Sequence, residues 1–341
     1  MSPHSKHEGK KASGHFGFTL VELLVAMAVL GLLVALSATM IGHIQKVWEH
    51  ASARTEQFQK ARQALQTISS RLSQATLNPY WRVETNSSGT PVRYARQSDL
   101  RFLSGPAASL TTIAAPASGS AVFFQAPTGF SSQSAAQLDN ALNTWGYFIE
   151  YGSDAQYRPP FLSSSGVAPK NSFRLVEFTD PSDMLQIFKF TSGVPAYSGK
   201  DWFSAPLATQ ANRRVLADNI VALVVLPRLP AMQDSTKSPL SPGCLYDSTQ
   251  ANVDPALNPR HQLPPIVDLA VVALDERSAR RIEWGITAPD FGTASLFQVP
   301  ANLDADLNTL RNNLAARGLN AAVFRISVPI AAGRWSTEQS N

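Results

Sequence analysis

The feature that most constrains this chain is an uninterrupted apolar run near its N-terminus. From Phe18 to Ile41 the only charged residue is Glu22. As an α-helix, this run would reach about 36 Å, enough to cross a bilayer core of roughly 30 Å. Three lysines precede it: Lys6, Lys10 and Lys11. By the positive-inside rule, the sequence predicts a membrane helix with a short cytoplasmic leader before it and the remaining chain on the opposite side.

Glu22 is the anomaly in this run, because an ionisable group in hydrocarbon costs at least about 2.5 kcal/mol. One interpretation is that Glu22 lies near the membrane interface and reaches water at a lower cost. The other treats Glu22 as a functional residue, which is the default hypothesis for a carboxylate inside a membrane helix.

The residues around Glu22 resemble a known processing motif. Gly17 is followed by Phe18-Thr19-Leu20-Val21-Glu22 and then by the apolar run, which is similar to the leader of type IV prepilins and type II secretion pseudopilins. The resemblance implies that a prepilin peptidase cleaves between Gly17 and Phe18 and then N-methylates Phe18. It also implies that the Glu22 carboxylate pairs with the terminal amine of a neighbouring subunit. Two buried opposite charges, each costly alone, are tolerable together.

A second processing hypothesis is an ordinary signal-peptidase site. Leu36-Ser37-Ala38 places small residues after an apolar core, as such a site requires. That hypothesis leaves Glu22 unexplained inside the apolar core of a signal peptide.

The helical pattern continues beyond the apolar run. A stripe with alternating spacings of three and four residues, broken only by an arginine, is formed by Ile44, Val47, Ala51, Arg54, Phe58, Ala61, Leu65, Ile68, Leu72 and Ala75. No proline occurs between Phe18 and Asn78, and Asn78-Pro79 is a stop signal. One helix of roughly 60 residues is therefore predicted, about 90 Å long. We expect its second half to pack on the protein's own head, the alternative being a free-standing coiled-coil dimer.

Many pilins place a proline near the position that Thr39 occupies here, where the helix loosens in the filament. In this chain Gly42, with Ser37 and Thr39 nearby, is the expected soft point, because these residues weaken a helix.

After Pro79 the pattern changes to short strands and long loops rich in Pro, Ser and Gly. The predicted strands are Val92–Tyr94, Leu100–Leu103, Ala121–Gln125, Tyr147–Tyr151, Phe173–Phe178, Asn219–Leu226, Ile266–Leu274 and Ala322–Val328. The predicted helices are Gln137–Thr144, Asp275–Glu283 with Asp275 as N-cap, and Asn302–Arg317. A long helix followed by a mostly antiparallel sheet defines an α+β class, and the resemblance implies a pilin-like fold.

Short stretches of the head also resemble known families. Ala64-Leu65, the run from Arg71 to Ala75, and the run from Val215 to Ile220 are similar to the minor pseudopilin J and the related minor pilin W, although Ser73 stands where that family usually has an aspartate. The order of Leu100–Leu103, Ala121–Pro127 and Gly146–Phe148 is closer to the uncharacterised Verru_Chthon cassette protein C family, which brings no established activity.

The sequence thus predicts four segments. Residues 1–17 form a basic leader that is removed, and residues 18–41 form the membrane and filament-core helix. Residues 42–78 continue that helix in amphipathic form, and residues 79–341 form the globular α+β head.

The residue content restricts enzymatic chemistry in the head. Its only histidine is His261, in the proline-rich stretch that also holds Cys244, the only cysteine of the chain. A multi-histidine metal site is therefore excluded, and a Cys244–His261 pair is conceivable but less economical than two structural residues. Calcium occurs in some pseudopilin heads, and the closest acidic pairs are Asp180 with Asp183 and Asp304 with Asp306; caps and turns explain these more simply. No catalytic residue, cofactor or metal ligand is predicted.

Charge argues against a nucleic-acid partner. The net charge is +4 over 341 residues, and the leader supplies half of it, which is too weak a bias for phosphate binding. The predicted partners are prepilin peptidase, other pilin-like subunits and, before assembly, inner-membrane lipid. We expect a non-enzymatic minor pseudopilin or pilin in the bacterial inner membrane, with its head in the periplasm, that later enters a filament. The alternative is a membrane-tethered binding or enzymatic head that uses the leader only for export.

Overall fold

The computed structural model describes residues 19–115, 118–132, 140–191, 194–195, 199–230, 240–283 and 285–336. The chain divides into two compact units, Met1–Ser52 and Ala53–Asn341. The helices are α1 (Leu20–Leu72), α2 (Ala107–Leu110), α3 (Pro160–Ser164), α4 (Asp201–Leu207), α5 (Glu276–Arg280) and α6 (Leu303–Ala316). The longer strands are β1 (Tyr80–Thr85), β2 (Pro91–Gln97), β3 (Phe102–Pro106), β4 (Ser120–Pro127), β5 (Leu142–Ser153), β6 (Asn171–Asp180), β9 (Arg213–Asp218), β10 (Ile220–Arg228), β12 (Ile266–Leu274) and β13 (Ala321–Pro329). Three two-residue strands complete the set: β7 (Phe190–Thr191), β8 (Val194–Pro195) and β11 (Tyr246–Asp247).

The centre of the second unit is a six-stranded antiparallel sheet in the order β11-β3-β4-β5-β6-β9. Because successive side chains of a strand point to opposite faces, this sheet carries two apolar faces. Val122, Phe124 and Tyr147 belong to one core, whereas Phe123 and Phe148 belong to the other. The sheet is therefore buried on both sides.

The first face of the sheet packs against the end of α1 and a three-stranded antiparallel sheet in the order β10-β12-β13. The two sheets meet at a bridge between Gly119 and Leu223. Gly119 has φ +91°, and a Cβ there would overlap the Leu223 carbonyl oxygen, so this close approach requires glycine. The second face is covered by α2 and α4, with Trp202 and Phe203 fully buried.

The last third of α1 packs on the head, as the stripe predicts. Ala61, Leu65, Ile68 and Leu72 are at most 3% exposed and belong to the same core as the six-stranded sheet. This part of α1 therefore packs on the head and does not form a free-standing coiled coil. At the N-terminal end of the stripe, Ile44 is exposed. The side chains of Val47, Ala51 and Arg54 lie outside the described residues.

Helix α1 ends six residues earlier than predicted. Gln74 and Ala75 form tight turns by donating their N–H groups to the carbonyls of Arg71 and Leu72. The N–H of Thr76 then donates to the carbonyl of Gln125 in β4 at 2.9 Å. This hydrogen bond draws the chain onto the sheet before Pro79 is reached.

The eight predicted strands are all present, with shifted ends in most cases. The predicted helix at Gln137–Thr144 is wrong over its described part, because Leu142–Thr144 begin β5 and pair with β4. Residues 137–139 of that prediction lie outside the described residues. Helices α5 and α6 are confirmed, and the Asp275 side chain caps α5 by accepting the N–H of Ser278 at 2.7 Å.

Candidate functional site

The N-terminal processing site falls at the edge of the described chain. Residues 1–17 and Phe18, and with them the predicted Gly17–Phe18 cleavage site, lie outside the described residues. Thr19 is the first described residue, and α1 starts immediately after it. The site can therefore be described from Thr19 onward.

Thr19 and Glu22 form a reciprocal capping box at the start of α1. The backbone N–H and the hydroxyl of Thr19 each donate to Glu22 Oε2 at 2.9 Å. The N–H of Glu22 points back toward Thr19 Oγ1 at 3.3 Å. Such a box satisfies backbone donors that a helix N-terminus otherwise leaves without partners. Within the described residues Glu22 Oε1 accepts no hydrogen bond, so one carboxylate oxygen stays open to a further donor.

The apolar part of α1 is exposed along its length. Leu20–Gly42 is long and apolar enough to cross a membrane by length and composition, and none of it is buried against the protein. Leu20 and Met40, near its two ends, are 79% and 68% exposed. A continuous apolar surface of this kind needs lipid or other apolar helices around it.

The segment around Gly42, where the helix is expected to loosen, is helical in this structure. The Thr39 hydroxyl donates to the Leu36 carbonyl at 2.7 Å, a back-bond that slightly weakens a helix. A Cβ on Gly42 would meet nothing within 4 Å, so packing does not explain that glycine.

The C-terminal end of α1 is fixed to the sheet by a charged cluster around Glu177 of β6. The Glu177 carboxylate lies 3.5 Å from Arg71 Nε and 2.8 Å from Arg214 Nη2, and it accepts the Tyr147 hydroxyl at 3.1 Å. The Arg71 guanidinium carbon is 3.7 Å from the centroid of the Trp145 ring. Burial, and next the charge of Glu177, raise the pKa of Tyr147 well above its usual value, so the phenol remains a donor.

Cys244 and His261 show no sign of a catalytic pair. Cys244 is buried, and burial, followed by Asp306, raises the pKa of its thiol to about 11. His261 Nδ1 accepts the N–H of Ser98 at 3.1 Å. Burial, followed by three nearby arginines, lowers the pKa of His261 to about 4. A protonated thiol and an imidazole already engaged by the backbone are a poor nucleophile and base.

The acidic pairs are occupied by structural hydrogen bonds. Asp183 accepts hydrogen bonds from Ser132 and, with a smaller effect, from Ser131, and these lower its pKa to about 2. Asp180 is buried and accepts the N–H of Gln186 at 3.0 Å, and burial raises its pKa to about 6. Asp304 pairs with Arg325, and Asp306 accepts the N–H of Phe297. No group of three or more potential metal ligands occurs among the described residues.

Three residues of the site were not found from the sequence. Thr19 does carry a sequence signal, because Thr followed three residues later by Glu is the signature of a capping box. Glu177 and Arg214 carry no local signal, because their partners are supplied by other elements.

The N-terminal segment matches a known family model. The model, described as the prokaryotic N-terminal methylation motif, covers residues 13–38, a range that includes Gly17, Phe18 and Glu22. No curated protein and no solved structure matches the chain. The motif supports a prepilin-type precursor, and together with the apolar helix it fits membrane anchoring. A motif of this type implies processing by prepilin peptidase and assembly with other pilin subunits.

Proposed function

We propose that this chain is a non-enzymatic minor pseudopilin or pilin of a type II secretion or type IV pilus-like filament. Prepilin peptidase cleaves it between Gly17 and Phe18 and methylates the new N-terminus. The subunit waits in the inner membrane with its head in the periplasm, and then joins a filament through α1. Its J-like or W-like character, and the likeness of the head to the cassette protein C family, belong to the same proposal.

The observation that carries the proposal is the methylation motif at residues 13–38, continued by the apolar helical segment Leu20–Gly42, none of which is buried among the described residues. A helix that served only as an anchor has no use for a carboxylate in its first turns, since a charge inside lipid opposes insertion. A filament subunit uses that carboxylate. One oxygen of Glu22 closes the cap of its own helix, and the other receives the amine of a neighbouring subunit, which lowers the cost of burying both charges.

The first test is mass spectrometry of the N-terminus of the protein purified from its native membrane. We expect a mature chain that begins at Phe18 with one added methyl group on its amine. A chain that begins near Ser37 or Ala38 would show signal-peptidase processing instead and would contradict the proposal.

The second test separates a filament subunit from a tethered head. We expect Glu22→Leu to remain in the membrane at normal levels but to fall about a hundredfold in sheared filament fractions, because an unneutralised buried amine costs roughly 3–5 kcal/mol. Glu56→Leu, a change at an exposed glutamate of the same helix, is the matched control and should leave assembly unchanged. Normal assembly of the Glu22→Leu chain would favour the membrane-tethered head.

A further inference from the structure

One face of the β1–β2 hairpin is apolar and uncovered. Trp81 pairs with Arg96, and Val83 with Tyr94, across the antiparallel ladder; directly opposite residues share a face. On this face Trp81, Val83, Val92 and Tyr94 are 57%, 40%, 64% and 69% exposed. A two-stranded hairpin is marginally stable in water, so an uncovered apolar face on one is costly to keep without a partner.

The base of the hairpin borders a half-open cavity of about 490 Å³. That volume is within the range of pockets that hold a ligand or an inserted side chain, roughly 300–1,000 Å³. Apolar and cationic side chains share its lining, among them Leu77, Trp81, Arg96, His261, Leu263 and Arg334. The cavity and the apolar hairpin face are continuous, because Trp81 and Arg96 belong to both.

The cavity has an excess of positive charge. Arg96 is half-buried, its Nε–H donates to no partner among the described residues, and burial lowers the pKa of its guanidinium. In the part of the chain that the structure describes, neither Arg96 nor Arg334 forms an ion pair. The imidazole of His261 is neutral near pH 7, because its pKa is lowered to about 4. The arginines therefore supply the charge.

Among the described residues, the nearby carboxylates Asp99 and Asp247 form their contacts with other groups and no ion pair with these arginines. Asp99 accepts hydrogen bonds from the Tyr80 hydroxyl at 2.9 Å and from Asn78 Nδ2 at 3.3 Å. Asp247 lies 3.7 Å from Arg101. An arginine fork without a carboxylate, next to an apolar floor, is complementary to a carboxylate on an apolar carrier.

We propose that the hairpin face and its cavity bind an acidic, apolar segment of a partner protein. An Asp or Glu side chain of the partner enters the cavity and pairs with Arg96 and Arg334, while apolar residues beside it cover Trp81, Val83 and Tyr94. The exposed side chains are of the types that dominate protein interfaces, Trp, Tyr and Arg. The valines favour a protein over an acidic polysaccharide, because exposed aliphatic side chains are stabilised by burial against another apolar surface. The inference concerns the head alone and does not rest on filament assembly.

The test uses the full-length chain in detergent micelles and a phage library of random dodecapeptides as the probe. We expect the selected peptides to share an Asp or Glu next to apolar residues. A synthetic copy of the strongest peptide should bind Arg334→Glu about tenfold or more weakly, as expected when an interfacial ion pair is lost. Replacing its acidic residue with Lys should recover part of the binding to Arg334→Glu, because Arg96 still faces the new ammonium.

Two further variants make the test specific. Arg334 is exposed, so Arg334→Glu leaves the fold intact, and Arg96→Gln is a second variant that removes the other charge. Arg311→Glu is the matched control, because Arg311 is an exposed arginine of α6 away from the cavity. It should bind the peptide as the unchanged chain does.

Four results would overturn the proposal. Selected peptides without an acidic residue would exclude a carboxylate partner. So would a peptide affinity that neither Arg334→Glu nor Arg96→Gln changes. Saturable binding of alginate that Arg96→Gln abolishes, with no peptide selected, would assign the surface to a polysaccharide. Self-association of the chain that depends on Tyr94 would assign it to a second copy.

Discussion

At the scale of single residues, Glu177 joins four parts of the fold. Its carboxylate is almost fully buried, and it contacts Arg71 at the end of α1, Tyr147 in β5 and Arg214 in β9. Arg71 in turn lies over the Trp145 ring. A buried carboxylate is stable only when such partners satisfy it. The cluster therefore fixes the position at which the long helix meets the sheet.

We expect Glu177→Ala to lower the free energy of unfolding of the head by about 3 kcal/mol, because it leaves Arg71 partly buried without its counter-ion. Urea denaturation followed by circular dichroism measures the change. Glu56→Ala is the control: its partner Lys60 and the carboxylate itself are more than half exposed, so stability should not change measurably. Equal effects of the two substitutions would mean that the cluster is not a structural junction.

At the scale of elements, α1 has two chemically different parts on one continuous helix. Ile68 is fully buried against the sheets, whereas Ile44 is 59% exposed. The same residue type therefore has opposite roles at two positions of one element. The stripe that runs through both positions does not distinguish them, because spacing reports a face and not what covers it.

The difference predicts the outcome of a matched pair of substitutions. Ile68→Ala should destabilise the head by about 2–5 kcal/mol, through lost burial and the cavity left behind. Ile44→Ala should leave the unfolding of the head unchanged. Thermal melting of the two variants, monitored by near-ultraviolet circular dichroism, checks both. A loss of stability in Ile44→Ala that matches Ile68→Ala would mean that the core extends further along α1 than described.

Elements with a strong internal pattern were predictable from the sequence. Apart from Asp268, the nine-residue run Ile266–Leu274 is apolar and rich in β-branched residues, and β12 has those bounds. Helix α6 was found from its leucine spacing and its acidic first turn. In both cases the local preference agrees with the burial that the fold imposes.

Elements whose structure depends on distant partners were not predictable. Strand β1 is a different case, because its signal is local: Trp81, Val83 and Thr85 alternate with other residues and pair with the neighbouring β2, yet no strand is predicted there. Leu142–Thr144 were assigned to a helix, yet Asn143 and Thr144 are fully buried in β5 between β4 and β6. The cavity at Arg96 joins residues of the hairpin, the His261 loop and the C-terminal segment, which no local window brings together.

At the scale of the whole molecule, the division at Ser52 and Ala53 gives a testable boundary. Among the residues of α1 whose side chains the structure describes, those that are buried, from Gln57 onward, lie on the side of the head. We expect a fragment of residues 53–341 to fold in solution and to unfold within about 3 °C of the full-length chain, since almost no buried surface is removed. Differential scanning calorimetry measures this.

A shorter fragment provides the contrast. Residues 79–341 lack the helical segment that covers one face of the six-stranded sheet, including Ala61, Leu65, Ile68 and Leu72. That fragment should expose a large apolar face and aggregate or bind the dye ANS. A shorter fragment as stable as the longer one would show that the helix end is dispensable for the head.

The lone thiol of this chain has a practical consequence. Cys244 is 2% exposed, and burial raises its pKa to about 11. In the folded head, the sulfur is therefore inaccessible to alkylating reagents and stays protonated at neutral pH, so it does not react. Any labelling at neutral pH must then report an opening event. A pulse of iodoacetamide applied to living cells would count those events without an introduced probe, and would show whether the head is pulled open when force is applied to the molecule.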